Sequence, residues 1–283
     1  MWKQRRFGKG GEICGIAVEP RRASPVLVIT LPGLGQAMSE KNYMFSGLRK
    51  ILAGHGQRVV QFDYRGHGDS IGELGDATVT TMKRDALEVL SEVTEEHPAE
   101  RIYLIGHALG AVVALLVADQ WEREYGTPCV LVLLAPPLAA FPSKETLFPP
   151  EVLGRLEQEG VLDSQQLVPG FDYYTLSDFD RRQYDYFSAW GAHMLYLHGQ
   201  CLSAGMIHEL DGLRPVQLIQ EYGREVHIIC STEDAQTQAA VRGLSHVFLH
   251  PVEGYRYFYQ HPEAMDRWIE AAAGIVLNRK QGE

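Results

Sequence analysis

No stretch of this chain approaches the ~20 consecutive apolar residues of a membrane span, and Met1-Trp2-Lys3-Gln4-Arg5-Arg6 is not followed by an apolar core of signal-peptide length. The sequence therefore predicts neither a spanning helix nor export. Basic charge is scarce: 26 Lys and Arg stand against 36 Asp and Glu, for a formal net charge of -10. The only dense basic stretches are Lys3 to Arg6 and Arg21-Arg22, which excludes the concentrated patch that a nucleic acid or an anionic membrane would need. Cysteine is sparse as well. Cys14, Cys129, Cys201 and Cys230 show no CxxC or metal-type spacing, and two of them lie in apolar strand-like runs, so buried free thiols in a reducing, cytoplasmic setting are expected. No histidine and carboxylate spacing points to a metal. Neither Gly33-Leu34-Gly35 nor Gly66-His67-Gly68 is followed by the glycine, lysine or acid of a nucleotide loop, so no metal and no cofactor are expected.

What is present is a chain of 283 residues, 45% hydrophobic and 22% charged, enough to bury one α/β core with an insertion. Residues 1 to 24 alternate weakly around several glycines and suggest an edge hairpin. Pro25 to Leu31 is a continuous apolar run of the kind buried on both faces of a parallel sheet. A helix from about Lys41 to Gly54, a strand over Gln57 to Asp63, a glycine-punctuated loop and a long amphipathic helix over Thr78 to His97 follow. This alternation predicts right-handed crossovers and a mostly parallel sheet. After the run Pro128 to Ala135 the rhythm changes. Prolines, short helical patches and an aromatic string (Phe171, Tyr173, Tyr174, Phe179, Tyr184, Tyr186, Phe187, Trp190) run to about Gly223. That is too long for a loop and predicts a mostly helical cap over 136–223, inserted in a core of 1–135 and 224–283. The sheet resumes at Glu225 to Cys230, followed by a helix near Ala235 to Arg242, a strand at His246 to His250 and a closing helix from about Pro262 to Leu277.

The stretch around which this order is arranged is Arg101 to Ala111, followed by the apolar helical run Val112 to Ala118. An apolar strand stopped by Gly106, one residue held at 108, then Gly110 and a helix is the layout of a nucleophile elbow, Gly-x-Ser-x-Gly. The turn is tight and strained, so small residues are needed on both sides. Here the central residue is Ala108, and the attacking hydroxyl is missing.

Four stretches in this order resemble the α/β-hydrolase fold, in its lipase-, esterase- and aminopeptidase-like branch with a helical cap. They are Leu31-Pro32-Gly33-Leu34-Gly35, the loop Asp63 to Ser70, Gly106-His107-Ala108-Leu109-Gly110, and Ser231-Thr232-Glu233-Asp234. The resemblance covers about 12 to 277. It implies an oxyanion hole from the backbone N–H of Leu109 and, in the Gly33-Leu34 turn, of Leu34, both left available by the change at 108. It puts the family acid at Asp234, for which a helix N-cap role is the structural alternative. It puts Arg256 where the family histidine stands, with His250 and His261 as alternative bases. His107, His67, Asp63, Arg65 and Asp69 read as packed or hydrogen-bonded structural residues.

The triad needs a hydroxyl activated by a base that an acid orients. Alanine cannot form an acyl-enzyme, and a guanidinium stays protonated near neutral pH. Three readings follow. The first is a non-hydrolytic homologue that binds a small acyl, ester, peptide-like or carboxylate-bearing molecule, or a protein partner through the cap, with Arg256 paired to Asp234. The second is a serine hydrolase silenced by alanine at 108, with its histidine elsewhere. The third is a serine-independent enzyme, such as a lyase or cyclase, using Asp234, His107 or Tyr184 directly.

Overall fold

The computed structural model describes residues 2–22, 24–139, 142–163, 166, 186, 189–191, 201–253 and 261–278. Strands β1 (Trp2–Phe7) and β2 (Ile13–Val18) form the edge hairpin. β3 (Val26–Leu31), α1 (Met44–Gly54), β4 (Arg58–Phe62), α2 (Val79–Glu96), β5 (Arg101–His107), α3 (Leu109–Tyr125) and β6 (Cys129–Leu134) follow in strict alternation. β9 (Val226–Ser231), α8 (Ala235–Ala240), β10 (Val247–Val252) and α9 (Pro262–Val276) complete the core.

The eight-stranded sheet has the order β1-β2-β4-β3-β5-β6-β9-β10. β2 runs antiparallel to β1 and β4, and every other neighbour pair is parallel. β3, β4, β5 and β6 are buried along almost their whole length because both faces are covered. On one face Phe45, Leu48, Trp268 and Ile269 of α1 and α9 pack on Val28, Tyr103, Ile105 and Val132. On the other, α2 and α3 pack on the alternate residues Leu27, Ile29, Leu104 and Leu131. The period of two within each strand thus sorts one apolar run onto two layers.

Local chemistry sets the ends of the helices. Thr78 and Thr81 cap α2 reciprocally, side chain to backbone N–H in both directions. α3 stops at Gly126, which takes the left-handed conformation with φ 70°.

Between β6 and β9 lie α4 (Lys144–Leu147), α5 (Pro150–Glu159), β7 (Val161–Asp163), β8 (Cys201–Ser203), α6 (Ala204–Gly212) and α7 (Pro215–Tyr222). A short antiparallel β7–β8 pair, which the sequence reading did not anticipate, stands among these helices. Each strand is three residues long and its partner lies far along the chain, so no local alternation marks it. Most of the aromatic string lies outside the described residues; Tyr186 and Trp190 are described, and both are buried. All four cysteines are free. No described helix is long and apolar enough to cross a membrane.

Candidate functional site

β5 delivers the chain to Ala108 at the C-terminal edge of the sheet. There the backbone takes φ 50° and ψ -117°, a region alanine rarely occupies, and the residue is 2% exposed. The two flanking glycines are steric requirements. A Cβ on Gly106 would run into the Gly110 carbonyl, and one on Gly110 would run into the carbonyl oxygens of Leu31 and Pro32. Strand, turn and helix therefore fit together only with glycine at both positions, and the strain is set at residue 108.

The two expected oxyanion donors do converge. Leu34 N–H and Leu109 N–H point at a single acceptor, the carbonyl oxygen of Trp190, at 3.0 and 3.2 Å. Both N–H groups are therefore taken up by a carbonyl of the chain itself, against the expectation that they stay available. The next residue, Gly191, has φ 99° and sits so close that a Cβ on it would lie 3.0 Å from Gly33 Cα and 3.2 Å from Ala108 Cβ. Gln36 Nε2 donates to the Gly191 carbonyl at 3.2 Å and ties the segment to the same loop. The Trp190 ring, 1% exposed, meets Tyr186 edge-on at 6.1 Å.

Beneath this loop stands Glu40, which sequence reasoning missed. Its Oε2 accepts the Gly33 N–H at 2.8 Å, its Oε1 accepts the Lys41 N–H at 3.1 Å, and Oε1 lies 3.3 Å from His107 Nδ1. Burial by itself would raise the Glu40 carboxyl. The nearby His107 and the bond from Gly33 outweigh it and hold the group below the usual carboxylate range. A lone acid after the Gly33-Leu34-Gly35 turn carries no spacing signal in the sequence. Its backbone at φ 58° shows that the loop is shaped to bring it in.

The loop after β4 is the hydrogen-bonded clamp expected from its residues. Asp63 accepts from Met38 N–H and Asp69 N–H, and Arg65 pairs with buried Asp85 and, at 2.8 Å, with Glu88. His67 is buried against Tyr64, its ring centroid 5.6 Å away.

At the other positions, the structure separates the candidates. Asp234 lies at the end of β9 and caps α8, its Oδ1 accepting the Thr237 N–H at 3.0 Å. The cap role, expected as the structural alternative, is therefore present. His250 is turned to its neighbour strand, Nε2 lying 2.9 Å from His227 Nδ1, while His227 Nε2 lies 2.8 Å from Glu225. His261 is exposed at the start of α9. Arg256 and Tyr184 lie outside the described residues. Among the described residues, no group of three or more His, Cys, Asp and Glu side chains is placed to hold a metal ion.

The chain has known relatives. Residues 26–159 match the serine aminopeptidase S33 family. The lysophosphatidylserine lipase ABHD12 of Xenopus tropicalis is 33% identical over 130 residues, 46% of this chain and 30% of that protein. The Bos taurus lipase of the same name is 29% identical over 219 residues, 76% of this chain and 48% of that protein. The chain therefore spans less than half the length of these relatives. Among solved structures, Est1E of Butyrivibrio proteoclasticus bound to ferulic acid superposes with a TM-score of 0.64 at 19% identity, over 97% of this chain and 98% of that one. By its strand order, its elbow and these likenesses together, the chain belongs to the α/β-hydrolase superfamily.

Proposed function

We propose that this protein is a non-hydrolytic member of the superfamily that binds a small acyl, ester or peptide-like molecule, or serves as a scaffold for a partner. What carries this reading is the Trp190 carbonyl. It satisfies both oxyanion donors while Gly191 packs on the Ala108 methyl, where an attacking oxygen and the substrate carbonyl would meet. The hole of an acyl-transfer enzyme acts by holding the oxyanion with donors poised for it. Donors already bonded to a backbone oxygen stabilise the closed state instead. The missing hydroxyl at 108 and the arginine at 256 agree with that, and the free thiols suit a reducing, cytoplasmic setting.

A silenced lipase or esterase is the second reading. It is favoured by the strained elbow and the Glu40–His107 contact, which are kept although no nucleophile uses them. Fluorogenic ester hydrolysis separates the two. The non-hydrolytic reading expects background rates for the chain as it stands and for Ala108→Ser alone; turnover restored by that single change overturns it in favour of the silenced enzyme. Comparison with Ala108→Ser/Arg256→His reads the contribution of the base position.

A further inference from the structure

On the far side of Trp190 lies a cavity of about 570 Å³ between the end of β6 and the helices α6 and α7, within the ~300–1,000 Å³ range of small-molecule sites. Apolar Leu138, Trp190, Leu210 and Val216 share its lining with polar side chains, Gln217 and Gln220 among them. None of Gly33, Leu34, Ala108 and Leu109 lines it. Arg214 stands at its rim, exposed, with Nη1 held in place by the carbonyls of Asp211 and Leu213 at 2.8 and 2.7 Å. A guanidinium fixed through one nitrogen still presents Nη2 and Nε to a ligand. Asp211 brings the opposite charge, but its Oδ1 already accepts the Lys144 N–H at 2.9 Å at the start of α4.

We propose that this cavity is the ligand site of the protein and takes an amphipathic anion, its apolar body against Trp190 and Leu210 and its carboxylate or phosphate on Arg214. Trp190 is shared between the two, its carbonyl accepting from Leu34 and Leu109 and the residue itself lining the cavity. The cavity is present together with the Trp190 carbonyl on both N–H groups, so an occupant is compatible with that closed arrangement. The inference rests on the non-hydrolytic reading in one respect, that the ligand is held and not cleaved.

Titration of the full-length protein with decanoate, decyl phosphate and decanol, each below its micellar concentration, tests it through tryptophan emission. Decanoate or decyl phosphate is expected to saturate a change that Trp190→Phe removes and to bind at least about tenfold more tightly than decanol. The tighter of the two anions identifies the head group. Arg214→Gln is expected to bring the anions to the affinity of decanol. Val216→Trp is expected to fill the cavity and abolish binding while thermal unfolding stays cooperative. Equal affinity for decanoate, decyl phosphate and decanol, or binding indifferent to both variants, overturns the proposal. Ester turnover by Ala108→Ser is a separate readout, so failure of the pocket and failure of the non-hydrolytic reading are told apart.

Discussion

At Ala108 the backbone is held at φ 50° and ψ -117°, a kind of strain that costs about 1–3 kcal/mol where it persists. The methyl group gains nothing chemical from it. The surroundings enforce it, because Gly106 and Gly110 close the turn from both sides. The glycine spacing that does so was legible in the sequence. Glu40 was not, since its importance arises only when folding sets it beside Gly33 and His107. A second residue carries a measurable consequence. Burial pushes the His67 imidazole down from 6.5 to about 4. Unfolded His67 takes up its proton near 6.5, so the stability this neutral ring contributes is complete above that pH and is lost as the pH falls towards 4. Urea unfolding between pH 7 and pH 4 is expected to show about 3 kcal/mol of loss from this group, and a flatter profile in His67→Gln; equal slopes would contradict the assignment.

Among the elements, the strands and long helices followed from periodicity, and the structure adds the Thr78 cap of α2 and the Gly126 stop of α3. The segment whose carbonyl takes up the Leu34 and Leu109 N–H groups could not be read in that way. Its working group is a backbone carbonyl, which every residue possesses, and only the glycine after Trp190 hints at close approach. The β7–β8 pair was equally hidden, its two short strands separated by a long stretch. At the end of β9 the sequence left Asp234 between two roles, and the structure gives it a cap to hold. Asp234→Ala is expected to cost about 1 kcal/mol, while Asp234→Asn, which keeps the accepting oxygen, is expected to cost no more than a few tenths of a kcal/mol in chemical unfolding. Equal losses in the two variants would point to a role for the charge and not for the cap.

Across the whole molecule, the sheet order and its two helical layers place every piece of the site along one edge: the elbow after β5, the Gly33 loop after β3 and the cap residue after β9. That arrangement was visible as four short stretches in order, because each lies where a strand ends and a glycine or an acid must follow. The loop after β4 is joined to α2 through Arg65, which pairs with fully buried Asp85 and with Glu88. Removing the guanidinium leaves buried Asp85 with only the more distant and exposed Arg84, its Nε 3.9 Å away, as counter-charge. Arg65→Met is therefore expected to lower stability by about 3 kcal/mol, somewhat less because Arg65 itself is about a quarter exposed. Loss of under 0.5 kcal/mol in urea unfolding would show that the clamp matters little.

The account stands on a closed and inert elbow, and covalent labelling tests it without any knowledge of a substrate. Ala108→Ser would be incubated with a fluorophosphonate probe and the modified fraction read by intact mass. The closed hole and the arginine at 256 call for labelling no greater than that of the unaltered chain. Stoichiometric modification at Ser introduced at 108 would contradict the account and identify a hydrolase lacking only its hydroxyl.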